Sequence, residues 1–252
     1  MRLRYVFPAF FLVAAAPAKP WAAMPNPGGE PVAVVELFTS EGCSSCPPAD
    51  DFLRRINLQH NSGELILGLS EHVTYWNQLG WKDPFSQQAF TDRQEVYADK
   101  LSSRGPYTPQ MVVNGRAEFV GGNGPALEKA LHEDAGLAHG ALGIAGHEVD
   151  SGKLNVSFHF KAPDAHAYDI LAVIADDADH SSVARGENAG RTLAHVSVVR
   201  LMAKVATLSG DSDQTAQVNL PADLGGASPR HLVLIAQQPH QGRIVAAVTV
   251  PL

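Results

Sequence analysis

The feature that most narrows what this chain can fold into is Cys43-Ser-Ser-Cys46, its only two cysteines, set directly after an apolar run and directly before a proline. The preceding stretch Val32–Phe38 reads VAVVELF, a buried-strand pattern. Pro47 suits the first position of a helix. Asp50 and Asp51 fall in its first turn, where the helix dipole favours negative charge. Ala49, Phe52, Leu53 and Ile56 then keep helical spacing, and Asn61-Ser62-Gly63 ends the element. The cysteines therefore sit where a strand passes into a helix. A disulfide across two intervening residues restricts the unfolded chain far less than one closing a long loop. The pair is read as reactive rather than as a staple.

A helix N-terminus supplies partial positive charge and free amide groups, both of which favour a thiolate. Cys43, at the exposed tip, is the expected nucleophile. Cys46, inside the first turn, is the expected resolving thiol. Ser44 and Ser45 are small enough to leave Cys43 open to a protein substrate. Glu41 acts in the opposite sense, because a nearby carboxylate disfavours a second negative charge.

The chain continues with strand Leu65–Leu69, a helix capped by Ser86 and running to Leu101, and strand Met111–Val113. Asn114-Gly115 is a strong two-residue hairpin signal and returns the chain as Ala117–Val120. Pro125 opens a third helix. The order β-α-β-α-β-β-α combines a right-handed parallel crossover with an antiparallel edge. It resembles the thioredoxin arrangement, and residues 31–139 are expected to form such an α/β domain with a mixed sheet. After Gly140 the texture changes to short alternating strands: Leu154–Phe160, Asp169–Ala175, Thr192–Arg200, Ala203–Leu208, Thr215–Leu220, His231–Ala236 and Arg243–Val250. Residues 140–252 are expected to be an all-β, sandwich-like domain.

Four segments together resemble a secreted bacterial family, the domain of unknown function numbered 1223, placed in the thioredoxin-like superfamily. They are Val35–Asp50 (VELFTSEGCSSCPPAD), His72–Phe85 with Arg93-Gln94, Tyr107–Gly115 (YTPQMVVNG) and Arg185–Leu193 (RGENAGRTL). Thr74 and Asn77 depart from the family pattern, which has acidic residues there. The resemblance implies the fold and export, with an activity that the family description leaves open. Thioredoxin-like chains place a cis-proline beside the CxxC pair. This implies a cis Thr108–Pro109 peptide whose Thr108 backbone is aimed at an extended substrate.

Residues 1–23 read as an export signal, with Arg2 and Arg4, an apolar stretch from Tyr5 to Ala16, and small residues at Ala16, Ala18 and Ala23. The apolar run is shorter than the roughly 20 residues a membrane span needs. Residues 24–30 are a linker, and a periplasmic or secreted location with no stable membrane span is expected. Residues 1–23 hold three basic and no acidic residues. Their removal takes 19 basic residues to 16 against 26 acidic, and the net charge from −7 to −10. That balance argues against nucleic acid as a partner.

The expected function is an exported thiol–disulfide oxidoreductase, with Cys43, Cys46, Thr108 and Pro109 as its site. It needs no cofactor and acts on a protein thiol or disulfide with a redox partner. One alternative is copper handling by Cys43, Cys46 and His72, since copper(I) accepts few, soft ligands. Another is a non-catalytic scaffold whose β-rich half binds a partner. His72 alone reads as a hydrogen-bonded loop histidine. Lys82 and Asp83 read as turn residues, and Gly186-Glu187-Asn188 as a turn, the alternative being that Glu187 or Asn188 approaches the cysteines. Tyr75, Trp76, Trp81 and Phe85 read either as the wall of a groove or as a plug between the halves.

Overall fold

The structure, a computed structural model, describes residues 32–61, 64–101, 104–222, 224 and 229–252. The expected signal and linker lie outside the described residues. Val32–Thr39 (β1) is buried along its whole length, so it must run through the middle of a sheet with both faces covered. Helix α1 (Pro47–Ile56) follows, with Pro47 at its start, Asp50 in the first turn and Arg54 and Arg55 in the last, in keeping with the dipole. The two-residue strand β2 (His60–Asn61) leads into β3 (Glu64–His72), which pairs parallel to β1 from Val32/Leu65 to Thr39/His72. Gly68 of β3 lets α1 pack closely, since a Cβ there would lie 2.8 Å from Leu53 Cδ1.

Helix α2 (Gln88–Leu101) turns Phe90, Arg93, Gln94 and Tyr97 inward. Ser86 does not cap it. Its hydroxyl donates to the Asp83 carbonyl, and the Gln87 carbonyl accepts the first helical amides. Strands β4 (Gln110–Val113) and β5 (Ala117–Val120) form the expected hairpin. Asn114 and Gly115 adopt φ 46° and 63°, the left-handed pair that such a turn requires. Asn114 also ties the turn down, accepting from Val34 N at 2.8 Å and donating to Asp134 at 2.7 Å. Asp134 belongs to α3 (Gly124–Ala135), whose N-cap Asn123 accepts from Ala126 N.

The second half consists of β6 (Ala141–Asp150), β7 (Lys153–Lys161), β8 (Ala167–Ser182), β9 (Thr192–Ser209), β10 (Ser212–Asn219), β11 (Arg230–Gln237) and β12 (Ile244–Pro251). Its longest strands do not form a separate sheet. Among the described residues one nine-stranded mixed sheet runs β12-β11-β8-β9-β3-β1-β4-β5, with β2 beside β3. β9 joins the halves, lying parallel to β3 at Ser70/Val198. Residues 140–252 are all-β as expected, but their large sheet is continuous with that of the first half. A three-stranded antiparallel sheet, β10-β7-β6, packs only over the far half of the large sheet. Leu154, Val156, Phe158 and Phe160 of β7 meet Tyr168, Ile170, Leu232 and Leu234 in that core.

Individual strands also differ from expectation. Thr192–Ser209 is one strand rather than two, its pairing with β8 kept by register shifts at Ile170/Leu171 and Ile174/Ala175. β6 has a weak pattern because Gly143 and Gly146 interrupt it, and the register shifts between Ile144 and Gly146.

Candidate functional site

Between Thr39 and Pro47 the backbone turns twice. Cys43 N donates to the Ser40 carbonyl, and Cys46 N to the Cys43 carbonyl. Cys46 is the N-cap of α1, with φ −76° and ψ −40°, and has no side-chain capping bond. Cys43 and Cys46 form a disulfide with Cα atoms 5.4 Å apart. The expectation of an exposed Cys43 is overturned: both cysteines have 0% of their surface accessible, while Ser44 and Ser45 between them are exposed.

The loop at residues 183–191, between β8 and β9, docks on the backbone of the CxxC turn. Asn188, fully buried, donates from Nδ2 to the Glu41 and Cys43 carbonyls, both at 2.9 Å. Its own Oδ1 accepts from Arg191 at 2.8 Å. Glu187 Oε2 accepts from Ser44 N at 3.0 Å, and hydrogen bonding from the Ser44 side chain, then from this amide, holds its carboxyl below the ordinary pKa. Gly186, at φ +80°, fits where a side chain would press on Trp81, its Cβ 3.2 Å from that of Trp81. The turn at Gly186–Asn188 thus reaches the cysteines through two side chains.

The Thr108–Pro109 peptide is cis. Trp76 links it to the CxxC turn. The indole donates to Thr108 Oγ1 at 2.8 Å, and Trp76 Cβ stands 3.1 Å from where Gly42 would carry a Cβ. On the other side Gly121 bonds the Pro109 carbonyl and packs against both Pro109 and Ala49 of α1. The structure therefore brings the four expected site residues around one helix start.

Beneath the disulfide lies a buried array that the sequence reading did not assemble. Asp50, one helical turn after Cys46, accepts from Thr39 Oγ1 at 2.9 Å. Its second oxygen is 3.8 Å from His195 Nδ1, too long for a hydrogen bond, and that nitrogen has no partner. His195 Nε2 is 3.2 Å from Glu41 Oε1. Glu41 also accepts from Trp81 at 2.7 Å and from the Ser181 hydroxyl. The His72 ring meets that of His195 edge to face, with centroids 4.7 Å apart, and Phe85 packs on both. His72 Nδ1 pairs with Asp83 at 2.7 Å, while its Nε2 is unpartnered.

Physical causes separate these groups. Burial pushes Asp50 up, and the nearby His195, His72 and Thr39 only partly offset it. Burial opposes a charged His72, but Asp83, then Asp50 and Glu41, outweigh it and hold the imidazole above its ordinary value. Burial would raise Asp83, but His72 and the amides of Glu41 and Phe85 outweigh it and hold it low. A crevice of about 140 Å³ between Pro47, Asp50 and Asp51 of α1 and Arg191–Ala194 reaches Asp50 from outside.

Asp83, read as a turn residue, is 1% exposed and central. His195 carried one readable signal: with Leu193 and Ser197 it occupies the inward phase of an otherwise apolar strand. The sulfurs are bonded to each other, His72 is engaged by Asp83, and among the described residues no group of three His, Cys, Asp or Glu is arranged to hold a metal ion. Phe85 packs on His72 of β3 and His195 of β9, whereas Trp76 borders the CxxC turn.

A second buried network lies on the other face of the sheet. Arg93 donates from Nε to Glu36 at 2.5 Å, Tyr97 donates to Glu36 at 2.7 Å, and Gln237 bonds both Arg93 and Tyr97. Glu71, 3.7 Å from Arg93 Nε, is pushed well up by burial and then by Glu36.

Comparison with known proteins gives three findings. A family model described as "Protein of unknown function (DUF1223)" matches residues 34–237. Among curated proteins none matches this chain. Of solved structures, protein AGR_C_4864 of Agrobacterium tumefaciens is similar at 26% identity and a TM-score of 0.65, covering 88% of this chain and 95% of that one. HBP35 of Porphyromonas gingivalis is similar in fold at 13% identity and a TM-score of 0.66, covering 88% and 76%.

Proposed function

The chain belongs to the DUF1223 family, whose description assigns no activity, and from the site alone we propose that it is an exported thiol–disulfide exchange protein with a thioredoxin-like core in β1 to α3. The observation that carries this reading is a two-residue disulfide bridge spanning the first turn of a helix beside a cis-proline. That position favours thiolate at the N-terminal sulfur once the bond is open. Export rests on the charge and apolar pattern of residues 1–23.

In the exchange, a substrate thiolate attacks Cys43 Sγ and forms a mixed disulfide. The electron pair of the broken bond passes to Cys46 Sγ, which takes up a proton. A second substrate thiolate then displaces Cys43 and leaves as part of a substrate disulfide. The substrate is oxidised, the chain is reduced, and a partner disulfide restores it. Because both sulfurs are covered, the 183–191 loop must lift first, so the described form is a closed one.

The test is reduction of the native, full chain by dithiothreitol, with thiols counted by alkylation and mass. Two thiols are expected without denaturant, and the reduced chain is expected to reduce insulin, an ability that Cys43→Ser loses. Thiols that appear only after unfolding would overturn the reading.

A further inference from the structure

We propose that the cleft between the start of α2 and the neighbouring face of β8, β9 and β11 binds a free α-amino acid with an apolar side chain, recognising its ammonium and carboxylate groups together. The inference is independent of the exchange reading and concerns the α2 side of the sheet.

Phe90, in the first turn of α2, shares a core with Val173, Val199, Val233 and Ile235 of the large sheet. Beside it lies a cavity of about 330 Å³, within the range of small-molecule sites. Phe90, Leu171 of β8 and Met202 of β9 give this cavity an apolar wall. Asp169 and Lys204 stand two residues away along the same strands, so alternation puts them on the same face. Their charges are 3.6 Å apart, too far for a hydrogen bond, and Lys204 is more than half exposed. The contacts of Asp169 to Thr207 and Lys204 both fall on Oδ1, leaving Oδ2 for a ligand.

The floor belongs to the Glu36 network. Arg93 and Gln237, only 6% and 2% exposed, both line the cavity. The bonds of Arg93 to Glu36, Tyr97 and Gln237 use Nε and Nη2 and leave Nη1. The turn between β11 and β12 supplies the remaining side. Its His240 and Gln241, which also line the cavity, adopt φ 58° and 54°. The Asn114-Gly115 turn holds φ 46° and 63° with the residue types such a backbone prefers. His240-Gln241 holds a similar backbone with two side chains that strain it. Strain and local misfit of this kind collect at ligand-binding positions. Gln241 Oε1 is also buried without a hydrogen-bond partner, and an orphaned acceptor calls for a donor. Gln237 Nε2 donates to the Gly242 carbonyl at 2.9 Å, which ties the turn to the buried network.

These groups select one ligand chemistry. Gln241 Oε1 and Asp169 Oδ2 suit a cationic donor. Lys204 and Arg93 Nη1 suit a carboxylate. The apolar wall suits a hydrocarbon or thioether chain. Leucine and methionine carry all three features, whereas a simple amine or a fatty acid carries two.

The experiment is isothermal titration calorimetry of the full chain with L-leucine and L-methionine as probes. Saturable binding with one site per chain is expected. Isocaproate lacks the ammonium group, isoamylamine lacks the carboxylate and glycine lacks the side chain. Each is expected to bind about tenfold more weakly or worse, the scale of one charged hydrogen bond or one buried aliphatic chain. Lys204→Met and Gln241→Leu roughly keep the volume of the cavity and are expected to weaken leucine about ten- to a hundredfold. Gln241→Gly separates recognition from folding, because it should raise the melting temperature by relieving the turn and still weaken the ligand. Lack of saturable binding at about 1 mM amino acid overturns the proposal. So does isocaproate binding as tightly as leucine, or wild-type affinity for leucine in Lys204→Met and Gln241→Leu.

Discussion

The two faces of the sheet around β1 carry two buried polar networks, one built around an arginine and the other around two imidazoles. Strand alternation sends Glu36 toward α2 and Thr39 toward α1. On the α2 side, Glu36 is bonded by Arg93 and Tyr97, and Gln237 closes the ring. On the α1 side, two imidazoles and three carboxylates crowd together, two ring nitrogens lack partners, and a crevice reaches in from outside. Burial alone does not mark chemistry, since both networks are buried. Unfilled hydrogen-bonding capacity does not mark it either, since both Glu71 oxygens on the α2 side lack partners and a pocket of about 330 Å³ reaches Arg93 and Gln237; what distinguishes the α1 side is the disulfide beside it.

The sharpest way to break this contrast is Arg93→Met. If the α2-side network holds the fold, Glu36 is left as an uncompensated buried charge, and stability should fall by about 3–5 kcal/mol. Urea unfolding measures it, and a loss below about 1 kcal/mol would erase the distinction.

Asn188→Ala gives a smaller effect and acts on the other side. The bond from Arg191 inside the loop is lost together with the two to the CxxC turn, and each of those two has a net contribution of about 0.5–1.5 kcal/mol. The cover should therefore open roughly five- to a hundredfold more readily at 1.36 kcal/mol per tenfold. Dithiothreitol reduction should speed up accordingly, with little change in the global unfolding midpoint. An unchanged reduction rate would mean that the loop is not what seals the bond.

Glu71→Gln is the gentlest probe. The folded pKa of Glu71 is raised, so its contribution to stability is fully present below the unfolded value of about 4.3 and is lost as pH rises through the folded value. Glutamine mimics the neutral acid. The variant should match the wild type near pH 4 and become relatively more stable toward pH 9 in thermal melts. Parallel melting curves at both pH values would show that Glu71 does not titrate as described.

What the sequence made legible was local. The unbroken run before Cys43, Pro47 at the helix start and Asn114-Gly115 each predict their own element from neighbouring residues, and each element forms. The insertion of β9 beside β3 was not legible. It joins Ser70 to Val198, and nothing near either residue announces the other. The site divides in the same way. Cys43, Cys46, Thr108 and Pro109 lie in short recognisable motifs. Asp83 gains its role only by meeting His72, and His195 only by meeting Glu41 across 154 positions. A histidine on the inward phase of β9 is a hint of burial, but its partner is set by tertiary packing.

The adjacency of β3 and β9 has a practical consequence for anyone dividing the gene. A cut near residue 139, where the texture of the sequence changes, severs neighbours of a continuous sheet. The N-terminal fragment would keep its cysteines yet lose the asparagine above them, and would carry a bare strand edge of the kind that recruits other chains into aggregates. A piece that keeps the bond and its shelter together must run at least from β1 through β9.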